Sequence, residues 1–186
     1  MFLLVGLGNP GEEFALTRHN VGFRVLDALV DGLGLRWHKQ RKFAWTKGER
    51  KGQELYFLKP LTFMNRSGEG LRLFFAHCPL REWEMVVVHD DLDFPPGRVR
   101  VKRNGGTGGH RGLESIAEAW GGLDFGRVRV GIGRPKEREE VVEYVLGIPQ
   151  GEEATQLREG EERAREALLW IVEKGWQVTM NVFNTS

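Results

Sequence analysis

The stretch FLLVGLGNPGEEFALTRHNVGFRVLDALVDGLG, residues 2 to 34, decides the fold. Phe2 to Val5 form a short apolar run closed by glycines, which reads as a buried strand feeding a turn. Val21, Val25, Leu29 and Leu33 then recur at helical spacing, so a helix is expected from near Asn20 to Gly34. Further along, Leu55 to Lys59 reads as a strand closed by Pro60, and Leu71, Phe74 and Phe75 mark an amphipathic helix following Ser67-Gly68. Met85 to His89 reads as a buried strand ending in acids. Strand, helix, strand, helix, strand is the alternation of an α/β domain.

Downstream, Val99 and Val101 alternate with Arg98, Arg100 and Lys102, and Val128, Val130 and Ile132 alternate with Arg127 and Arg129. Such alternation predicts two half-buried strands, each with one core face and one basic face. Between them Leu113, Ile116, Ala117 and Trp120 define a helix after the glycine-rich NGGTGGHRG. Leu157, Ala164, Leu168 and Ile171 predict one or two Glu-rich helices over residues 152 to 174. No repeat or long linker interrupts the chain, and 186 residues suit one domain, 1–186, with one continuous core.

The single Cys78 excludes an internal disulfide and points to a reducing compartment. No leader opens the sequence and no stretch has the length of a membrane span, so a soluble cytoplasmic protein is expected. Net charge is +1, but the charge is segregated. Residues 36 to 51 carry seven Lys or Arg against one Glu, and residues 98 to 136 carry nine against three acids. Residues 137 to 174 carry eleven Glu against five basic side chains. A nearly neutral chain can therefore still present a basic face, although on charge alone both basic stretches read as solvated surface.

Gly6-x-Gly8-x-x-Gly11 matches the dinucleotide fingerprint in letters only. Pro10 interrupts the turn, the helix starts near Asn20, and Asp27 and Asp31 lie in that helix instead of at the end of a second strand. A nicotinamide or flavin site is therefore not expected. The glycines do permit close backbone approach beside Asn9, at the strand end where α/β sheets gather ligands. TRHN (residues 17 to 20) lies at the same rim, and the strand Met85 to His89 delivers His89, Asp90, Asp91 and Asp93 to it.

His19 alone could be a cap neighbour or a surface imidazole; paired with Asp90 it becomes a base, because a carboxylate fixes the tautomer and raises basicity. The rival reading is a metal site built from His19, His89, Asp90 and Asp93, though no HxH or HExxH spacing supports it. Asp91 or Asp93 could instead cap the turn at Pro95-Pro96-Gly97. In KPLTFMNRSG, residues 59 to 68, Asn65 is either a helix cap or a carboxamide that holds water or an oxyanion. NGGTGGHRG lacks the GK[ST] ending of a P-loop, which argues for a mobile or backbone-exposing loop and against a nucleotide cofactor.

GLGNPG, TRHN, KPLTFMNRSG, HDDLDFPPG, GGTGGHRGL and VRVGIGRP, in this order over residues 2 to 146, closely resemble the bacterial peptidyl-tRNA hydrolase family. The resemblance implies a mixed, twisted sheet flanked by helices and a cytoplasmic monomer without cofactor or metal. It implies hydrolysis of the ester joining a peptide to tRNA, which recycles tRNA after premature drop-off from ribosomes. By the same resemblance His19 is the general base, Asp90 its supporting carboxylate, and Asn65 the group that positions substrate and water. Asn9 would bind the peptide and help to reject unblocked aminoacyl-tRNA. Phe63 and Met64 would wall the site, and Lys102 with Arg129 would grip the tRNA 5′-phosphate. His110 falls within the substrate-binding motif. Two positions depart from the family pattern: Phe14 stands where Tyr is usual and loses its hydroxyl, and Arg111 follows His110 where Asn is usual. A guanidinium cannot accept a hydrogen bond, so Arg111 suits a phosphate contact better than an amide role. A metal-dependent phosphoesterase and a non-catalytic RNA-binding protein of the same fold are the alternatives.

Overall fold

The first apolar run becomes β1 (Phe2–Gly6), buried at every residue. The structure, a computed structural model, describes residues 1–79 and 82–185, with the backbone alone at residue 139. Within them the other strands are β2 (His38–Lys39), β3 (Phe43–Arg50), β4 (Gln53–Pro60), β5 (Glu84–Asp91), β6 (Val99–Lys102) and β7 (Gly126–Gly131). The helices are α1 (Val21–Gly32), α2 (Ser67–His77), α3 (Arg111–Trp120), α4 (Val141–Val145), α5 (Gly151–Lys174) and α6 (Trp176–Phe183). The seven strands form one sheet in the order β2-β3-β4-β1-β5-β7-β6. β4, β1, β5 and β7 pair in parallel, whereas β2 with β3, β3 with β4, and β6 with β7 pair antiparallel. The result is one α/β domain with a mixed sheet.

Two cores follow from the period-2 alternation of the strands. Leu4, Val86, Val88, Val99, Val101, Val128 and Val130 face α1 and α5, with Trp176 and Phe183 of α6 closing that layer. Leu3, Val5, Tyr56, Leu58, Met85 and Val87 face α2 and α3. The chain leaves β1 toward β4 on one side and returns to β5 on the other, so the strand order reverses at β1. Such a switch point opens a crevice at the carboxyl ends of the strands.

The glycines of the first turn serve this packing. A Cβ on Gly22 would lie 2.4 Å from the Val88 carbonyl oxygen and 2.7 Å from the Leu7 nitrogen, and one on Gly6 would lie 2.5 Å from the Gly22 carbonyl oxygen. α1 therefore rests backbone-on-backbone against β1 and β5, which brings the preceding turn, and His19 with it, to the mouth of the crevice.

Several expectations needed correction. The basic stretch 36–51 is not all solvated surface: its second half is β3, whose Phe43, Ala44 and Thr46 are buried. The Glu-rich helix expected over residues 152 to 174 is present as one 24-residue element, α5, but the helix that follows it, α6, was not foreseen. Finally, β7 does not present a wholly exposed basic face, because Arg127 is only 2% exposed.

Candidate active site

The Arg18–Asn20 turn is held from several directions before α1 begins. The Thr17 hydroxyl donates to the Phe14 carbonyl, the Arg18 N–H donates to the Gly147 carbonyl, and the Arg18 guanidinium bonds Glu153 and stacks on Tyr144 at 4.2 Å. His19 thus enters the crevice on an anchored backbone, with Nδ1 2.8 Å from Asp90 Oδ2. Asp90, at the end of β5, is 2% exposed, and its other oxygen, Oδ1, lies 2.7 Å from His110 Nε2.

One carboxylate between two imidazoles settles both tautomers. An ionised Asp90 only accepts, so His19 carries its proton on Nδ1 and His110 on Nε2. The second nitrogen of His110 accepts from the Leu113 N–H at 3.2 Å, capping α3, which fits the same neutral form. The second nitrogen of His19, Nε2, has no partner among the described residues, and His19 lines the cleft. Burial pulls the His19 pKa down, but the charge and hydrogen bond of Asp90 outweigh it, so the imidazole is raised above its ordinary value. Burial opposes the charge on Asp90 too, yet His19 and His110 hold its carboxyl well below the usual range.

His89 plays a different part from the one the metal reading required. Its Nδ1–H donates to the Asp90 carbonyl at 2.8 Å, and burial together with the neighbouring His110 lowers its pKa to about 3, so it stays neutral. Asp93 pairs with Arg134, and Asp91 Oδ1 accepts from the Asp93 N–H, so Asp91 closes its own short turn ahead of Pro95-Pro96-Gly97 and not that turn itself. His19, His89, Asp90 and Asp93 therefore do not form one cluster. The trio whose ligand atoms come within 4.8 Å of one another is His19, Asp90 and His110. Any ion there would have to displace both Asp90–histidine hydrogen bonds.

A chain of amides connects this centre to the opposite wall. Asn20, buried, accepts from the Asn9 N–H at 2.8 Å and donates to the Asn9 carbonyl at 2.9 Å. The Asn9 side chain accepts from the Met64 N–H at 2.7 Å through Oδ1. With its oxygen committed, Asn9 has only its NH₂ to offer to a ligand. Met64 is buried and lines the cleft, while Phe63 is 53% exposed, adopts φ +67° and meets Phe14 edge-on at 6.5 Å between centroids. A bulky residue held at positive φ is strained, and such strain recurs at binding sites. Asn65 follows at the cleft wall, exposed, and caps neither the turn nor α2.

The cleft encloses about 630 Å³. Lys102, Arg111 and Arg129 line it beyond the His–Asp–His centre, and α4 contributes Val141, Val142 and Val145. Lys102 and Arg111 are exposed. Arg129 is oriented by Asp91 at 2.8 Å and by the Phe94 ring at 4.6 Å. Phe14 and Phe63 stand apart from the other expected residues, as an aromatic pair outside the cleft lining. Sequence reasoning overlooked Asn20, although its place between His19 and the first helical residue was a signal. It also overlooked that His110 shares Asp90 with His19, which no local spacing reveals.

An imidazole oriented by a buried carboxylate, its other nitrogen unpaired at the carboxyl rim of a parallel sheet core, defines an α/β site suited to general-base attack by water. The chain belongs to the peptidyl-tRNA hydrolase family, whose sequence model matches residues 3–186. The peptidyl-tRNA hydrolase of Rubrobacter xylanophilus is 47% identical over 180 residues, covering 97% of this chain and 98% of that protein. That of Shouchella clausii is 43% identical over 186 residues, covering 99% and 100%. The crystal structure of peptidyl-tRNA hydrolase from Acinetobacter baumannii matches with a TM-score of 0.92 at 35% identity, covering 100% of this chain and 95% of that one. Among the described residues no helix is long and apolar enough to cross a membrane.

Proposed function

We propose that the chain hydrolyses the ester between a nascent peptide and the 3′ end of tRNA, with His19 as general base. The observation that carries this assignment is the His19–Asp90 pair, which leaves Nε2 unpaired in the cleft. An oxygen ester is reactive enough for an activated water, so no Ser or Cys nucleophile is required. Water held by His19 Nε2 and the Asn65 carboxamide gives its proton to the imidazole as its oxygen attacks the ester carbonyl. The tetrahedral intermediate then breaks its bond to the ribose oxygen, which takes that proton from the imidazolium. The products are a free tRNA 3′ hydroxyl and a peptide carboxylic acid, which ionises and gives its proton to solvent. Release of peptide from purified peptidyl-tRNA in the presence of excess chelator tests this reading. Intact substrate would sink it, and activity restored only by a divalent cation would favour the metal-dependent alternative.

Lys102 and Arg129 supply the phosphate grip, and Arg111 a further cation for the RNA backbone, since an enzyme serving many tRNAs must read phosphates more than bases. Lys102→Glu should raise KM for full-length peptidyl-tRNA about tenfold at low salt and flatten its salt dependence by about one unit of slope. A short 3′-fragment ester should be spared; equal damage to the fragment would refute the grip. Met64 walls the end of the cleft that receives the 3′ adenosine or the peptide, the Phe14–Phe63 pair offers rings to the substrate from outside the cleft lining, and the enzyme works as a cytoplasmic monomer that recycles tRNA.

Asn9 discriminates blocked from free aminoacyl ends through its NH₂ group, a donor that welcomes a peptide carbonyl and repels an ammonium. Asn9→Ala should narrow the preference for peptidyl- over aminoacyl-tRNA. It should also lower stability by about 1–3 kcal/mol, because the buried Met64 N–H loses its acceptor. Measured rates on the two substrates with an unaltered ratio would remove Asn9 from this role.

A further inference from the structure

We infer that Arg127 is a positioning residue: it pins the glycine loop, residues 104–109, and thereby sets both the phosphate grip and the His110 end of the catalytic network. The inference deepens the hydrolase reading above and rests on it.

The Arg127 guanidinium is buried, and no carboxylate among the described residues pairs with it. Its bonds go to three backbone carbonyls: Nη1 to Phe125 at 2.5 Å and Leu123 at 3.3 Å, and Nη2 to Gly105 at 2.6 Å. Its plane lies over the Phe125 ring, 4.0 Å from the centroid. Burial and the neighbouring Arg129 both disfavour its charge, so the surroundings do not select a cation as such. What they use is the rigid planar fork, which spans acceptors that one ammonium could not reach together.

Two of those acceptors, Leu123 and Phe125, belong to the turn leading into β7 itself. The third, Gly105, belongs to the loop, which has positive φ at Gly105, Gly108 and Gly109 and therefore little intrinsic preference for one path. Outside the strand ladders, the loop's other hydrogen bond among the described residues is the Thr107 carbonyl accepting from the His110 N–H. Arg127 thus supplies the tie between the loop and the sheet.

What the loop carries explains why the tie matters. Lys102 stands at its start, and a Cβ on Gly105 would lie 2.6 Å from Lys102 Cε and 2.7 Å from Nζ, so the placing of Gly105 bounds where that ammonium stands. His110 stands at its end and bonds Asp90 Oδ1. One buried fork therefore fixes, through a single carbonyl, the segment that joins the phosphate-gripping lysine to the second histidine of the centre.

Arg127→Lys keeps the charge and loses the fork; Arg127→Gln loses both. In each variant, limited trypsin digestion of the folded protein should cleave after Lys102 and Arg103 at least tenfold faster than in the parent. On full-length peptidyl-tRNA both KM and kcat should worsen, whereas a 3′-fragment ester should show only the kcat loss. A folded variant cleaved at the parental rate would overturn the inference, as would full rescue by Arg127→Lys, which would mean that charge and not the fork matters. Should neither variant fold, Gly105→Ala disturbs the same tie from the loop side, at φ +147° and against Lys102. It should raise KM for full-length substrate, and an unchanged KM would again overturn the inference. A parent protein that releases no peptide would sink the hydrolase reading alone, because the proteolysis comparison needs no substrate.

Discussion

Replacing His19 with alanine is expected to lower turnover of peptidyl-tRNA by about 10² to 10⁴, the usual worth of a positioned general base, while tRNA affinity stays nearly constant. The large effect follows from the division of labour in the cleft. Among the described histidines of the cleft, His19 alone combines an oriented tautomer with an unpaired nitrogen that is not sealed from solvent. His110 spends both nitrogens, one on Asp90 and one on the Leu113 N–H, and His89 donates to a backbone carbonyl and leaves its Nε2 unpaired but fully buried, where burial lowers its pKa to about 3. Neither can take over the proton. The small effect on affinity follows because binding is assigned to Lys102, Arg111 and Arg129, which His19 does not touch. Single-turnover peptide release with competition binding of deacylated tRNA separates the two quantities. Near-parental turnover would exclude His19 as the base; lost affinity would mean that it binds substrate instead.

The parallel centre of the fold was legible because β1, β4 and β5 are short apolar runs, with helices of clear period, α1 and α2, following the first two. β3 was hidden for a physical reason: Phe43, Ala44 and Thr46 enter the core, yet Lys47, Glu49 and Arg50 kept the segment polar on average. β7 was placed correctly by its alternating valines, but alternation reports which face a residue occupies, not what covers that face. Arg127 and Arg129 point the same way along the strand and both border the cleft, but the Arg127 side chain is buried whereas that of Arg129 is partly exposed. The difference lies in Gly105 and Phe125, whose carbonyls enclose Arg127 and come from a loop and a turn that have no periodicity to read.

At the site, the pairing of His19 with Asp90 could be anticipated because each ends an element at the same rim of the sheet. Asn65 could not be resolved between cap and ligand, since both readings need a polar residue at that place; the surrounding 3₁₀ turn and α2 show that it caps neither. Asn9 was located by its glycine neighbours, but which end of its amide faces the cleft depends on the Met64 N–H, 55 residues away. Long-range hydrogen bonds of this kind leave no mark on sequence spacing.

Asp90→Asn is expected to reduce kcat about tenfold to a hundredfold and to shift the acidic limb of the pH profile downward. An asparagine has one oxygen where two histidines each present an N–H. Turned toward His19, that oxygen preserves the productive tautomer but leaves an NH₂ facing His110, whose own N–H must then move to Nδ1 and confront Leu113. Turned the other way, it forces His19 to carry its proton on Nε2, where no lone pair remains to receive one from water. Part of the population therefore keeps a working base, so the loss is smaller than in His19→Ala. The pH shift has a definite sign. In the parent, Asp90 holds the His19 pKa above its ordinary 6.5, and activity falls as the pH drops through that raised value. Without the carboxylate charge only burial remains, and burial lowers the pKa, so the variant retains its reduced activity to more acidic pH. A profile of kcat/KM for both proteins reads the difference directly; a limb that stays in place would dissolve the Asp90–His19 coupling on which the proposed chemistry depends.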